Sequence, residues 1–230
     1  MVEASDERIR LYLGTGCGKT TATFGLLLRA ISSAKNVSLI FFDKLEKNSS
    51  EGKALRHLSG LKEGFGRLTV NYTGINRVGA GPNGSFRFYS SPNGNLPEDK
   101  EAALQGLSYV KEALERGDDI VIADEILDVA RNGLIDWQDV KEALALRVDP
   151  TVLVLTGRRA PDWLMESATT ISVTPQLRHH GRAIEGMDCC AGLCCLGALV
   201  NVVRRGALLE RPYERPYRRC PSHPKAFKIS

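Results

Sequence analysis

Residues 9–21, Ile9-Arg10-Leu11-Tyr12-Leu13-Gly14-Thr15-Gly16-Cys17-Gly18-Lys19-Thr20-Thr21, decide how the rest of the chain is read. Ile9–Leu13 is an apolar run that reads as a strand, and Ala22–Ala30 reads as a helix. A strand, a glycine-rich turn ending in Lys-Thr and a helix together form a phosphate cradle. Glycines let backbone N–H groups turn toward one anion, and the new helix adds the positive end of its dipole. In that reading Gly14, Thr15, Gly16, Cys17, Gly18, Lys19, Thr20 and Thr21 line the phosphates. Lys19 reaches the outer ones, and the Thr20 hydroxyl ligates a magnesium ion riding on them. The first glycine stands five residues before the lysine, one fewer than the usual spacing, so the loop is short.

A phosphate loop needs a magnesium partner on another strand. Ile120-Val121-Ile122-Ala123-Asp124-Glu125 supplies one, as a short apolar run bounded by Gly117-Asp118-Asp119 and ending in two acids. It reads as a buried parallel strand whose acids emerge at the carboxyl edge, where open α/β sheets bind ligands. Asp124 and Glu125 are therefore assigned to magnesium, directly or through water. The competing reading makes them the capping carboxylates of a following helix. A third strand, Thr151–Leu155, runs into Thr156-Gly157-Arg158-Arg159, where Arg158 either contacts phosphate or lies solvated in a turn.

The coarse order is strand 8–13, helix 18–33, strand 37–42, helix about 50–60, strand 67–72 and a long loop. Helix about 98–116, strand 120–125, helix 136–146, strand 151–157, helix 161–167 and strand 169–174 follow. This alternation predicts an α/β fold with a mostly parallel sheet and helices on both faces. Asp136 is placed as the N-cap of the helix after it. Residues 73–97 form an unusually long glycine- and proline-rich connector carrying Phe86-Arg87-Phe88-Tyr89. It reads either as a lid over a large flat ligand or as a hairpin turning at Asn83-Gly84.

At 230 residues, with 43% hydrophobic and 25% charged content, the chain has the composition of a globular protein of one domain or slightly more. No apolar stretch is long enough for a transmembrane helix, and the acidic start is not a secretory signal, so the cytoplasm is expected. The net charge of +4 is uneven. Residues 204–230 carry eight Lys/Arg and two Asp/Glu, a net +6, so residues 1–203 carry −2. The body is therefore not a nucleic-acid binder. Five of the six cysteines follow Asp188, as Cys189-Cys190, Cys194-Cys195 and Cys220, which is not a standard zinc spacing. The expected division is a nucleotide-binding domain over 1–188 and a Cys-rich, then basic and Pro-rich, poorly ordered tail over 189–230.

The short GxGxGKTT loop, Ala22-Thr23-Phe24-Gly25 and Leu28-Arg29-Ala30, together with Asp124-Glu125, Leu155-Thr156-Gly157-Arg158 and Phe86-Arg87-Phe88, resemble the P-loop type of ATP:corrinoid adenosyltransferase. That family includes the cob(I)yrinic acid a,c-diamide adenosyltransferases. The resemblance runs from about Arg8 to Asp188. It implies a RecA-like P-loop NTPase fold, a homodimer, and transfer of the 5′-deoxyadenosyl group of ATP to cobalt(I) of a corrinoid with release of triphosphate. It also implies a flavoprotein or other low-potential electron donor. Lys19, Thr20 and Glu125 then carry the chemistry with magnesium, and Phe86 and Phe88 cover the corrin. The chain departs from the family pattern at Cys17, where a lysine is common, and around Arg178-His179-His180 and Gly186-Met187-Asp188, where the spacing is shortened. A P-loop ATPase or kinase, and a non-catalytic nucleotide- or corrinoid-binding protein, are the alternatives.

Overall fold

The computed structural model describes residues 8–46, 51–61, 63–77, 80, 83, 96–175 and the backbone of 203–204 and 207–208. Six short strands form its centre: β1 (Ile9–Leu13), β2 (Val37–Phe41), β3 (Leu68–Tyr72), β4 (Ile120–Asp124), β5 (Val152–Gly157) and β6 (Thr170–Val173). Each runs for four to six residues and carries Val, Leu or Ile at its apolar positions. They pair in the order β3-β2-β4-β5-β1-β6, every pair parallel. Two-residue strands β7 (Val203–Arg204) and β8 (Ala207–Leu208) form a separate antiparallel pair.

Parallel strands must be joined by crossovers, and the crossovers here are helices on both faces. The side-chain period of two sorts each central strand between two cores. Ile40 and Phe42, with Val121 and Ala123, meet α3 (Pro97–Glu115), α4 (Ile126–Arg131), α5 (Trp137–Ala145) and α6 (Asp162–Ser167). Val37, Leu39 and Phe41, with Ile120 and Ile122, meet α1 (Lys19–Ser32) and α2 (Gly52–Ser59). The sheet is thus buried on both sides, which explains why β2 and β4 show no alternation of polarity. This is the α/β architecture expected from the sequence.

Asp136 caps α5 as expected, its carboxylate accepting from Gln138 N at 3.1 Å. Helix α4 was not expected. It starts directly after Asp124-Glu125, so the pair does stand at a helix start, but the Glu125 side chain makes no capping bond. Glu125 is the N-cap residue and takes a left-handed φ of 69°.

The amino edge of the sheet is closed by charge. Asp118 is buried, and its carboxylate accepts from Ser38 Oγ at 2.6 Å, Arg67 at 2.5 Å and Arg116 at 2.7 Å. Beside it Asp119 accepts from Lys35 at 3.0 Å and from Asn36 N at 2.9 Å. The carboxyl edge, by contrast, carries the glycine turn and the acidic pair. Residues 84–95 with Phe86 and Phe88, the 178–188 region, and most of the Cys-rich and basic tail lie outside the described residues. Among the described residues no helix is long and apolar enough to cross a membrane.

Candidate nucleotide site

The turn after β1 is seated on the ends of its two neighbouring strands. Gly14 N donates to Arg158 O at 3.2 Å, beyond β5, and Gly16 N donates to Thr174 O at 2.8 Å, beyond β6. A Cβ at position 14 would stand 2.4 Å from Thr174 O, and one at position 16 would stand 2.6 Å from it. These two glycines are thus demanded by backbone approach. The amides of Gly14 and Gly16 are spent on the strand ends. The remaining donors include those at the start of α1. Gly18, at φ 104°, swings the chain into the helix, and the first intrahelical bond is Ala22 N to Gly18 O at 2.8 Å. The amides before it lack intrahelical acceptors and lie at the positive end of the dipole.

Lys19 folds back over this turn, donating to Gly14 O at 2.7 Å and Gly16 O at 3.0 Å. Burial pushes its ammonium below the usual lysine range, while Asp128, Glu125 and Asp124 oppose that shift. Thr15 is half-buried in the turn, and Cys17 and Thr21 are exposed at its surface.

The structure brings Thr20 and Asp124 together across the end of β5. Thr20 Oγ1 donates to Asp124 Oδ2 at 3.1 Å, and Asp124 has no exposed surface. Thr156 on β5, with no exposed surface, links the two acids: its Oγ1 donates to Asp124 Oδ1 at 2.8 Å and accepts from Glu125 N at 2.8 Å. Glu125 is partly exposed. Burial, together with the neighbouring Asp124 and Asp128, raises its carboxyl above the ordinary range, against the pull of Lys44. Arg158 lies at the β5 end as expected. Its amide donates to Asp128 Oδ2 at 3.1 Å, and its charge acts on Lys19.

Three residues of the site were not assigned a role from sequence: Lys44, Asp128 and Thr156. Lys44 donates to Asp124 Oδ2 at 2.5 Å and to Thr20 Oγ1 at 3.0 Å, and lies 3.5 Å from Glu125. Burial opposes its charge, but Asp124 and Glu125 outweigh burial and hold it above the usual lysine range. Its signal was a cation three residues past an apolar strand, whereas Asp124 ends β4 itself. Asp128 is buried in the first turn of α4 and pairs with Arg131 at 3.1 Å; burial raises its carboxyl. Thr156 stood inside the quoted Thr-Gly-Arg motif.

A cation already sits between Thr20 and Asp124, so the donor set accepts positive charge. One hydroxyl, a buried carboxylate and a nearby second one match a hard ion that takes its other ligands from phosphate and water. Among the described residues no cluster of three or more His, Cys, Asp or Glu offers a fuller metal cage. The residues that could hold magnesium are therefore Thr20, Asp124 and Glu125.

A parallel sheet whose first strand turns through glycines into Lys19-Thr20, facing an acid from another strand, defines a P-loop nucleotide-binding protein. Residues 5–192 match the family model of ATP:corrinoid adenosyltransferase BtuR/CobO/CobP, and the chain belongs to that family of enzymes. The corrinoid adenosyltransferase of Escherichia coli K12 is 26% identical over 182 residues, covering 78% of this chain and 83% of that one. Corrinoid adenosyltransferase CobA of Salmonella typhimurium shows the same identity and coverage. "Uncharacterized protein all2391" of a Nostoc species is 29% identical over 187 residues, and the match spans 77% of this chain but only 46% of that relative's length. The assembled ATPase EscN of the enteropathogenic E. coli type III secretion system aligns over 68% of this chain and 38% of its own at a TM-score of 0.38 and 16% identity.

Proposed function

We propose that this chain transfers the 5′-deoxyadenosyl group of ATP to the cobalt(I) of a corrinoid and releases triphosphate. The observation that carries this reading is the facing of Thr20 and Asp124 at 3.1 Å across the end of β5, beside the glycine cradle, in a chain of this family. The bond that forms joins cobalt to C5′. The bond that breaks joins C5′ to the first phosphate oxygen, which keeps the electron pair. No proton moves at carbon, so the protein needs no general base there.

What the residues must do is place the nucleotide and stabilise the charge gathering on the departing triphosphate. The amides opening α1 and the ammonium of Lys19 face that charge once Lys19 leaves the carbonyls of Gly14 and Gly16. Thr20, Asp124 and Glu125 would hold magnesium, whose charge would neutralise phosphate oxygens. Thr156 keeps Asp124 and the Glu125 amide in register. Arg158, at the end of β5, joins Lys19 on phosphate. Cys17 contributes its backbone to the cradle and no charge. Phe86 and Phe88 cover the corrin and exclude water. A flavoprotein or other low-potential donor reduces cobalt beforehand. The working unit is a cytoplasmic homodimer, built on residues 1–188 with 189–230 as an appendage.

The test is anaerobic incubation with MgATP and chemically reduced cobalt(I) corrinoid. A light-sensitive cobalt–carbon product with stoichiometric triphosphate is expected. Phosphate or diphosphate without alkylation would instead mark an ATPase or kinase. Bound ATP with neither product would mark a binding protein.

A further inference from the structure

Lys44 is placed with more care than a surface lysine needs. Asp43, before it, takes a left-handed φ of 59° and is held by the buried Arg77, which also pairs with Asp99. The Lys44 carbonyl accepts from Gly74 N at 2.9 Å, and a Cβ on Gly74 would stand 2.4 Å from the Lys44 carbonyl carbon. The ammonium lies 5.2 Å from the ring centroid of Phe41, itself stacked on Tyr72 at 4.8 Å. The backbone is thus pinned on both sides, and the side chain runs along an aromatic face to one place, the oxygens of Thr20 and Asp124.

We propose that Lys44 occupies the divalent-ion position of the nucleotide site before the ion arrives, and that loading the site exchanges its ammonium for the metal and turns Lys44 toward the polyphosphate. This rests on the nucleotide-site reading above. Thr20 Oγ1 and Asp124 Oδ2 are the two oxygens that the ammonium bridges, at 3.0 and 2.5 Å, and they belong to two of the three residues that the reading gives to the ion. A divalent ion held by these side chains, directly or through water, would compete with the ammonium for the same oxygens. An Asp124 without exposed surface cannot stand ionised and unpaired, so the protein supplies its own counter-ion. Only the end of Lys44 has to move. Its side chain is 27% exposed and carries several rotatable bonds beyond a fixed backbone. A triphosphate arriving with its metal brings more negative charge than the metal neutralises, which gives the displaced ammonium a new partner.

Two measurements on the full chain test the exchange. The first titrates Mn2+ against nucleotide-free protein, read by the free-ion paramagnetic resonance signal. Lys44→Met should bind Mn2+ at least about tenfold more tightly than the unaltered chain, because the competing charge is gone. Lys44→Arg should match the unaltered chain, and adding Asp124→Asn to Lys44→Met should abolish the gain. The second needs no variant. The rate of acetylation of Lys44, followed by mass spectrometry, should rise when Mg2+ is added without nucleotide. Equal or weaker Mn2+ binding by Lys44→Met, or a Lys44 acetylation rate indifferent to Mg2+, in protein that still binds MgATP, overturns the exchange and leaves the nucleotide site standing. Failure of the unaltered chain to bind MgATP overturns the site and the exchange together.

Discussion

Thr156 puts one hydroxyl to two uses: it donates to Asp124 and accepts from the Glu125 amide. Thr156→Val keeps the shape and removes both bonds, leaving a buried carboxylate short of a donor. MgATP affinity is expected to fall about tenfold, as the loss of a charge-assisted bond implies, with the circular dichroism spectrum unchanged. Titration calorimetry would show it. Lys19→Ala should reach further. Removing one preorganised donor from charge that develops in the transition state lowers kcat/KM by about 100- to 1,000-fold, measured with reduced corrinoid and MgATP. What the sequence could not reveal at this scale follows from distance along the chain. Lys44 and Asp124 are 80 residues apart and meet because β2 and β4 are neighbours in the sheet. Asp124 was legible because an acid ending a buried strand has few other reasons to be there. A lysine three residues past a strand reads as an ordinary solvated turn residue. Asp128 was lost with the helix that carries it.

Elements show where pattern reading succeeds and where it stops. The central strands β2 and β4 stand out because every residue of theirs is buried and almost every one is apolar. The long helices stand out by their periodicity. Helix α4 has six residues, of which Ile126, Leu127, Asp128, Val129 and Ala130 are all buried, so it has no wet face to set a period. It is legible only in three dimensions, where it presses on the end of β5: a Cβ on Gly157 would lie 2.5 Å from Leu127 Cβ. A similar contact holds α3 against the sheet. A Cβ on Gly106 would stand 2.6 Å from the ring of Phe42. Gly106→Ala should therefore overpack this layer and cost about 1–3 kcal/mol despite the better helix propensity of alanine, read as a lower denaturant midpoint. The seating of the phosphate turn is tighter still. Gly16→Ala meets Thr174 O and Pro175, backbone on every side, and should lower MgATP affinity by at least about tenfold, a loss that calorimetry resolves.

The whole molecule has two poles, and they respond to pH in different ways. At the pole away from the site, burial works against the Asp118 charge, but Arg116, Ser38 and Arg67 outweigh it and hold the carboxyl below its ordinary range. Its folded pKa thus lies below the unfolded value of about 3.9. The stability it lends is complete above that value and is lost as pH falls through the folded pKa. Asp118→Asn should therefore cost about 2 kcal/mol at neutral pH, the scale of a charged hydrogen-bonded group, and almost nothing in strong acid. Thermal melts across pH would trace the convergence. At the site pole Glu125 and Asp128 are raised instead, so their ionisation weighs against the fold as pH rises, and acid relieves them. The strand order carries one more consequence, in the timing of synthesis. Strand β1 is made first, yet it pairs only with β5 and β6, the last two of the six, and Leu13 accepts a bond from a threonine 161 residues later. At roughly 5–20 residues per second the nascent turn waits about 10–30 s for the strand ends that shape it. During that interval a translating ribosome presents the whole Gly-Lys-Thr motif as an unpaired strand and a shapeless loop, a target for chaperones before it is a target for nucleotide.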